Sequence, residues 1–272
     1  RDAAIDAVDE VLGIAQATVA DASTRLIIEE FMTGEEFSLL ALTDGTSIVP
    51  LVPAQDHKRV GEGDTGPNTG GMGCYSPVPA FTHELYDIAI ETILKPTLEA
   101  LRAEGIEYRG VLYAGLMLTE GGLKVVEYNA RFGDPETQVV LPRMQSDLLP
   151  LLLACAGHSE YSLETQTCEW NDGAAVTVVM ASEGYPGPYR KGDEITGITE
   201  AEATGATVFH AGTSSKDGQI VTSGGRVLAV TAQGEDFGRA RENAYAAIEK
   251  IHFEGAHFRR DIGWRAAKAM ER

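Results

Sequence analysis

Polar side chains alternate along one short stretch of the sequence, Val-Glu-Tyr-Asn-Ala-Arg at positions 126–131. Because side chains on a β-strand point alternately to its two faces, Glu127, Asn129 and Arg131 are predicted to share one face. A carboxylate and an amide oxygen are hard ligands suited to Mg²⁺, and an arginine can hold a phosphate or carboxylate through two parallel hydrogen bonds. The same alternation is typical of the solvated face of a hairpin. Val125, predicted on that same face, and the apolar neighbouring strand favour a metal and anion site.

A glycine-rich loop is the second candidate for chemistry. Residues 61–73 read Gly-Glu-Gly-Asp-Thr-Gly-Pro-Asn-Thr-Gly-Gly-Met-Gly. The first six match the letters GxGxxG, but a dinucleotide-binding fingerprint must open a helix. Pro67 and the glycines that follow it do not favour a helix. Glycines let successive backbone N–H groups converge on an anion, although the same density fits a flexible surface loop. Lys58 and Arg59 precede the loop in a chain with few basic residues, and they favour binding of a phosphate or carboxylate there.

Composition and charge exclude several classes of protein. The 272 residues are 43% hydrophobic and 23% charged, which is typical of a soluble globular chain with one large or two ordinary domains. A formal charge of −19 repels polyanions, so no nucleic acid and no membrane surface is expected as a partner. Three cysteines without a CxxC spacing predict a reducing, cytoplasmic compartment. The chain opens without an initiator Met, which we interpret as a chain cut from something longer.

Hydrophobic periodicity predicts the elements of a first unit over residues 1–157. Residues 54–80 carry little periodicity and are predicted to form a long loop, which in a compact domain is usually functional or disordered. The expected helices are 1–20, His83–Glu104, Pro135–Met144 and Asp147–Cys155, and the expected strands are Leu26–Glu30, Phe37–Leu42, Ser47–Val52, Gly110–Leu118 and Leu123–Asn129.

A second, smaller α+β unit is predicted over residues 172–272. The stretch Gly157–Asp172 is polar and irregular, so we expect the domain boundary there. One helix is expected near Glu235–Ile251, with Phe237, Ala240, Ala244 and Ile248 on one face. The expected strands are Ala174–Ala181, Ala206–Ala211, Gln219–Thr222 and Val227–Thr231.

Taken together, these segments resemble the phosphoribosylamine–glycine ligases (glycinamide ribonucleotide synthetases), a family of the ATP-grasp superfamily. The resemblance covers nearly the whole chain from about residue 26 onward. Its motifs reach the substrate side as well as the nucleotide side, which argues against another member of the superfamily. They are Ile28–Glu36, Gln55–Val60, Asp64–Gly73, Tyr75–Pro77, Leu112–Met117, Glu127–Thr137, Gly184–Pro186, His210–Thr213, Gly224–Leu228 and Asp261–Arg265.

The resemblance implies a fold and a reaction. The fold would be α+β, an ATP-grasp domain incomplete at its N-terminus followed by the small C-terminal domain. In the family, ATP phosphorylates the carboxylate of glycine, and the amine of 5-phosphoribosylamine attacks the glycyl phosphate. The products are glycinamide ribonucleotide, ADP and phosphate, in purine biosynthesis. ATP, glycine and 5-phosphoribosylamine are therefore the expected small-molecule partners, with Mg²⁺ or Mn²⁺ as the metal.

The resemblance also implies a role for individual residues. Glu127 and Asn129 would ligate the metal, while Arg131, Asp56 and Lys58 would be catalytic. The nucleotide would lie against Glu29, Glu30, Met32 and Glu36, and the other substrates against Gly70, Gly71, Gly73, Asp134 and Glu136. Cys74 stands where the family is expected to have Ala, which makes a catalytic thiol less plausible.

The sequence departs from the family pattern in one large respect. The N-terminal domain, the glycine-rich lid and the nucleotide-binding lysines of the family have no counterpart in it. The isolated chain is therefore predicted to be inactive, with the missing N-terminal part of the same enzyme as a partner. Two alternatives stay open at this point: a non-catalytic nucleotide-binding fragment, and another ATP-grasp carboxylate–amine ligase.

Overall fold

The computed structural model describes Ile5, Val8 and residues 27–270. The chain divides into two compact units, residues 1–33 and 34–272. The second unit is α+β, and every strand pairing in it is antiparallel. Its strands are β1 (Glu35–Thr43), β2 (Ile48–Pro50), β3 (Gln55–Asp56), β4 (Arg59–Gly61), β5 (Thr65–Asn68), β6 (Gly73–Ser76), β7 (Gly110–Thr119), β8 (Gly122–Asn129), β9 (Ala174–Ala181), β10 (Thr207–His210), β11 (Thr213–Lys216), β12 (Gln219–Thr222) and β13 (Arg226–Gly234).

The helices of this unit are short. Between α1 and α2 the chain forms a π-helical turn, Ile90–Leu94, just before Pro96, which cannot donate a hydrogen bond to the preceding turn. The helix predicted over His83–Glu104 is thus interrupted near this proline by a local change of helix type. The helices are α1 (His83–Ala89), α2 (Lys95–Ala103), α3 (Thr137–Val140), α4 (Leu148–Cys155), α5 (Ile198–Glu202), α6 (Phe237–Ile248) and α7 (Trp264–Met270).

One sheet has four strands in the order β2-β1-β7-β8. Its two faces pack against different helices because the side chains of β1 alternate. Leu39 belongs to a buried cluster that includes Leu94 of the π-helical turn, whereas Leu40 belongs to a second buried cluster that includes Leu151 of α4. A central strand buried on both faces reads as a continuous apolar run, as β7 does.

The other large sheet draws its strands from distant parts of the sequence, in the order β10-β13-β9-β6-β3. Strand β6 pairs with β9 across about a hundred residues, with Cys74 opposite Thr177. The sheet therefore contains strands from both sides of the expected boundary at residues 157–172. The division of the chain into domains at 1–157 and 172–272 stays a prediction.

Most of the predicted elements are present, with boundaries within a few residues. The strands Ala174–Ala181 and Gln219–Thr222 are confirmed at both ends, and the four apolar positions expected on one face of α6 are all buried. The prediction of a strand over Leu26–Glu30 is wrong for the described residues 27–30. Ile28 is 86% exposed, and apolar residues become a strand only where a neighbour pairs with them.

The remaining findings concern the N-terminal residues, the strands that were not predicted and the question of a membrane-spanning helix. The helix predicted at 1–20 lies outside the described residues apart from Ile5 and Val8. Strand β11 was not predicted, because Thr-Ser-Ser-Lys has no apolar alternation. The prediction of a long loop over residues 54–80 is wrong in part, because the short strands β3, β4, β5 and β6 lie within it and are too short to show a periodicity. In the described part of the chain, no helix has both the length and the apolar character needed to cross a membrane.

Candidate active site

A β-bulge in β8 determines which way Glu127 points. Gly115 pairs with Glu127, but the next residue of β7, Leu116, pairs with Val125, so Val126 is left without a partner in the register. Leu116 is part of the buried apolar cluster and Val125 packs against that cluster. The expectation that Val125 shares the face of Glu127 is therefore wrong, because one extra residue moves the carboxylate to the opposite face.

Beyond the bulge, the predicted alternation is present. The side-chain amide of Asn129 donates a hydrogen bond to Oε1 of Glu127 over 3.2 Å. Both side chains line the same cavity as Arg131, whose guanidinium also donates to the carbonyl oxygen of Phe132. The polar face predicted from the sequence thus forms one wall of a cavity.

That cavity has a volume of about 130 Å³. It lies where the end of β8, the loop after it and the residues around β3 approach each other. Its lining residues are Asp56, Lys58, Thr69, Gly70, Tyr113, Glu127, Asn129, Arg131, Asp134 and Glu136. Eight of these ten were expected from the sequence as site residues; Thr69 and Tyr113 were not.

Lys58 and Asp56 form the charged centre of one wall. Nζ of Lys58 lies 2.5 Å from Oε2 of Glu36, which brings this predicted nucleotide residue beside the predicted catalytic lysine. Loss of water around Asp56 and the nearby carboxylate of Glu136 raise the pKa of Asp56 to about 7. Burial disfavours the charged form of Lys58, but the carboxylates of Asp56 and Glu36 outweigh it and raise the pKa of Lys58.

Glu136 is buried and held by two hydroxyl groups. Its Oε1 accepts hydrogen bonds from Ser38 Oγ and from the Tyr113 hydroxyl, each over 2.9 Å. Ser38 lies on β1 and Tyr113 on β7, on neighbouring strands of the four-stranded sheet. Sequence reasoning missed both residues, because a Ser and a Tyr inside apolar strands give no signal until the carboxylate that needs them is in place.

The glycine-rich loop is folded back on the segment before it. The backbone N–H of Met72 donates to the carbonyl oxygen of His57, and the N–H of His57 donates to that of Gly73. Gly71 has a φ of +111°, and a side chain there would approach Cδ of Pro135 to 2.5 Å. Gly73 is buried in β6 and faces Ile262 instead of the cavity. Of the three glycines predicted to bind substrate, only Gly70 lines the cavity.

An ionic cluster around one buried arginine fixes the other end of this loop. Oδ1 of Asp64 lies 2.9 Å from the fully buried guanidinium of Arg259, and Oδ2 lies 2.5 Å from that of Arg265. The nearby imidazole of His57 and the two guanidinium groups hold the pKa of Asp64 well below its usual range. The imidazole of His57 is desolvated, which lowers its pKa, and its Nε2 accepts a hydrogen bond from Gly263 N–H. A neutral His57 therefore supports the loop.

Glu29, Glu30 and Met32, the other residues predicted to bind the nucleotide, belong to the unit formed by residues 1–33. Their assignment to the nucleotide stays a prediction. Cys74 is fully buried, and burial raises the pKa of its thiol well above the usual value. A protonated, buried thiol does not act as a nucleophile.

The donor set at Glu127 and Asn129 fits a hard divalent cation only with help from other ligands. Within residues 27–270, no group of three or more His, Cys, Asp or Glu side chains could hold a metal ion. Mg²⁺ keeps several waters and is often bound by one or two carboxylates together with substrate phosphates. A carboxylate and an amide on one wall of an otherwise open cavity suit that mode of binding.

Comparison with known proteins identifies the family. The model of the phosphoribosylglycinamide synthetase ATP-grasp (A) domain matches residues 1–137, and that of the C domain of the same synthetase matches residues 175–265. The chain is 55% identical over 254 residues to the phosphoribosylamine–glycine ligase of Nostoc sp., an alignment that covers 93% of the chain and 59% of that relative. The chain spans less than two thirds of the length of the curated relatives it matches.

Solved structures show the same relationship. The crystal structure of phosphoribosylamine–glycine ligase from Thermotoga maritima has a TM-score of 0.74 at 42% identity, covering 86% of this chain and 56% of that one. N5-carboxyaminoimidazole ribonucleotide synthetase from the same organism has a TM-score of 0.56 at 18% identity over 83% of this chain and 54% of its own, which is a likeness of fold alone. The A-domain model alone spans half of the sequence, and every residue that lines the cavity falls within its matched range. The chain therefore belongs to the phosphoribosylglycinamide synthetase family and has its α+β ATP-grasp fold.

Proposed function

We propose that this chain carries the metal, substrate and catalytic residues of an ATP-dependent phosphoribosylamine–glycine ligase. The observation that supports this most is the shared cavity. Two segments far apart in the sequence, Asp56–Gly70 and Glu127–Glu136, contribute their polar side chains to one space. A metal-binding wall that faces basic and acidic side chains is what a carboxylate–amine ligase needs.

The proposed reaction has two steps. An oxygen of the glycine carboxylate attacks the γ-phosphorus of ATP, so that ADP leaves and glycyl phosphate forms. The amine of 5-phosphoribosylamine then attacks the acyl carbon, the C–O bond to phosphate breaks, and the amine loses a proton. The rate of such a two-step reaction is raised mainly by holding the reactants in place and neutralising their charges. It needs no enzymic nucleophile, in keeping with the buried thiol of Cys74.

Individual residues of the cavity suit these steps. Arg131 would hold the reacting carboxylate or the transferred phosphate through its guanidinium. Asp56, with a pKa of about 7, would accept the proton from the amine, since a general base works best near the ambient pH. Lys58, on the same wall of the cavity as Asp56, would neutralise part of the charge of the phosphate. Asp134 and Glu136 would orient the amino and hydroxyl groups of the substrates.

The metal and the nucleotide complete the proposal. Glu127 and Asn129 would hold Mg²⁺ or Mn²⁺, which when bound neutralises phosphate oxygens that must approach one another. Glu29, Glu30, Met32 and Glu36 would contact the adenosine. The proposed location is the cytoplasm.

A second candidate is a nucleotide-binding chain without ligase activity of its own. Its support is the charge of the cavity: among the described lining residues, Asp56, Glu127, Asp134 and Glu136 outnumber Lys58 and Arg131. Without a metal and further basic residues, these carboxylates would oppose the approach of the γ-phosphate to glycine, so a bound nucleotide would not be used in a ligase reaction. On this reading the ligase needs the missing N-terminal part of the same enzyme.

The experiment that tests the proposal uses the full-length protein that contains this chain. ATP, glycine and freshly made 5-phosphoribosylamine are supplied with Mg²⁺, and ADP, phosphate and glycinamide ribonucleotide are quantified together. We expect the three products in equal amounts and only when all three substrates are present. ATP hydrolysis that is independent of glycine, with no ribonucleotide product, would contradict the proposed function.

A further inference from the structure

Two motifs of the C-terminal region have no place in the reaction described above. They are Gly184-Tyr-Pro186 and Gly224-Gly-Arg-Val-Leu228. Neither contributes a side chain to the lining of the cavity. Both, however, contact one residue that does line it, Gly70 of the glycine-rich loop.

The peptide groups around Gly70 are held on both sides. Its backbone N–H donates to the hydroxyl of Tyr185 over 3.1 Å. Its carbonyl oxygen accepts from the Arg226 guanidinium over 2.6 Å. Backbone groups in a loop of this glycine content have no side chains to restrict them, so these bonds replace the missing restraint.

Arg226 also contacts Asp134, in the second segment that lines the cavity. The same guanidinium nitrogen donates to the carbonyl oxygen of Asp134 over 3.0 Å, and the second nitrogen donates to Oδ2 of Asp134 over 3.0 Å. Arg226 therefore joins the two residues, Gly70 and Asp134, that line the cavity from separate segments. A planar guanidinium can make these bonds at once, whereas a lysine ammonium cannot reproduce the fork.

The local backbone is adapted to this bridge. Arg226 pairs with Ala181 of β9 and Leu228 pairs with Met180, so Val227 is left without a partner and the register of β13 shifts next to the arginine. A side chain at Gly70 would lie 3.0 Å from Cζ of Arg226. The glycine thus allows the guanidinium to pack flat against the loop.

We propose that Arg226 and Tyr185 are positioning residues that hold Gly70 and Asp134 in fixed relative positions in the lining of the substrate site. The inference rests on the proposed ligase function and extends it, since it assigns to the C-terminal region a role in binding glycine or phosphoribosylamine. Neither residue touches the reacting atoms. Their effect passes through the loop backbone and the carboxylate of Asp134.

The test compares Arg226→Lys and Tyr185→Phe with wild type in the full-length protein. We expect the KM for glycine or phosphoribosylamine to rise about tenfold in Arg226→Lys, because small displacements of positioning groups cost that much or more. The KM for ATP and the unfolding temperature should stay at the wild-type values. Tyr185→Phe removes one bond to Gly70 and should give a smaller rise of the same KM. Arg239→Lys, an exposed arginine of α6 paired with Glu242, is the matched control and should change neither parameter.

A double-mutant cycle separates positioning from direct contact. If Arg226 acts in part through the Asp134 carboxylate, Arg226→Lys should raise the KM less in an Asp134→Asn background than in wild type. Additive effects, an unchanged KM for both substrates, or an equal rise in the KM for ATP would each overturn the inference. A wild-type protein that makes no ribonucleotide would overturn the proposed function and this inference together. An active wild type with an unaffected Arg226→Lys would overturn the inference alone.

Discussion

At the scale of single residues, the cavity is lined by more acidic than basic side chains. Glu127 and Asn129 present oxygen and amide groups to a space that also contains the carboxylates of Asp56 and Glu136. Like charges brought together out of water disfavour ionisation of one another. A bound cation at Glu127 would relieve that repulsion. The negative charge of Glu127 is therefore expected to matter most for metal binding.

Glu127→Gln tests the metal assignment. The change removes one charge with little change in shape, so the fold should be kept while metal affinity falls. In the full-length protein we expect the Mg²⁺ concentration for half-maximal rate to rise by at least about tenfold. Glu120→Gln, an exposed carboxylate in the turn between β7 and β8, is the control. Wild-type rates with wild-type Mg²⁺ dependence would rule out Glu127 as a ligand.

Asp56→Asn tests the environment of the carboxylate through stability. The pKa of Asp56 is raised to about 7 in the folded chain from an ordinary value of 3.8. The folded state therefore favours the protonated form, and the corresponding stability is present below pH 3.8 and lost as the pH rises through about 7. Asn mimics the protonated form, so the substitution should stabilise the metal-free chain by about 1–3 kcal/mol at about pH 8 and have little effect at about pH 4.

Urea unfolding at the two pH values measures this difference. Asp87→Asn, an exposed carboxylate of α1, serves as the control and should give no pH-dependent difference. The account is wrong about Asp56 if the substitution destabilises the chain equally at both pH values. In the full-length enzyme the same variant should lose activity despite its greater stability.

At the scale of elements, the bulge of β8 is the feature that makes the site. It turns Val125 toward the apolar cluster and Glu127 toward the cavity. Gly115 lies opposite Glu127, and a side chain there would come within 3.1 Å of its Cγ. Strand β7 therefore leaves room for the carboxylate at this one position.

Gly115→Ala should displace the carboxylate of Glu127 without unfolding the sheet. We expect the Mg²⁺ requirement of the full-length protein to rise by about three- to tenfold, since misplacement by a fraction of an ångström already weakens a site. Stability should change little, because Ala suits a strand at least as well as Gly. Gly121→Ala is the control, as a side chain there would make only an ordinary contact, 3.7 Å from Thr119 Oγ1. An unchanged Mg²⁺ requirement in Gly115→Ala would contradict the link between the bulge and the metal.

The sequence pattern predicted the individual strands and helices better than the way they pair and contact each other. The strand Ala174–Ala181 was predictable because an unbroken apolar run has one simple outcome in a buried sheet. The bulge was not, because nothing in the letters Val-Val-Glu distinguishes a bulged strand from a regular one. Tyr185 and Arg226 belong to motifs shared with the family. Their hydrogen bonds to Gly70, however, join residues more than a hundred positions apart in the sequence.

At the scale of the whole molecule, the C-terminal region supports the glycine-rich loop at several points. Arg259, Arg265 and Asp261 hold the segment around Asp64, since the Asp261 carboxylate also accepts from Gly63 N–H. Strand β6, which ends the loop, pairs with β9 of the second predicted domain. The two predicted domains are therefore expected to unfold together.

The overall charge limits what the chain can do alone. A formal charge of −19 and an acidic cavity oppose the binding of nucleotide phosphates. We expect the isolated chain to bind Mg-ATP at least about tenfold more weakly than the full-length protein and to form no ribonucleotide. Calorimetric titration of both proteins with Mg-ATP measures the difference. Equal affinities and full ligase activity of the isolated chain would contradict this prediction.

The central claim is that glycine is activated by transfer of phosphate to its carboxylate in this cavity. The most direct test follows oxygen atoms. The full-length protein is supplied with ATP, phosphoribosylamine and glycine whose carboxylate carries ¹⁸O, and the released phosphate is examined by mass spectrometry. Because the glycine oxygen that attacks phosphorus leaves with the phosphate, we predict one ¹⁸O atom in each phosphate formed together with ribonucleotide. Unlabelled phosphate, released in step with the ribonucleotide, would contradict the claim.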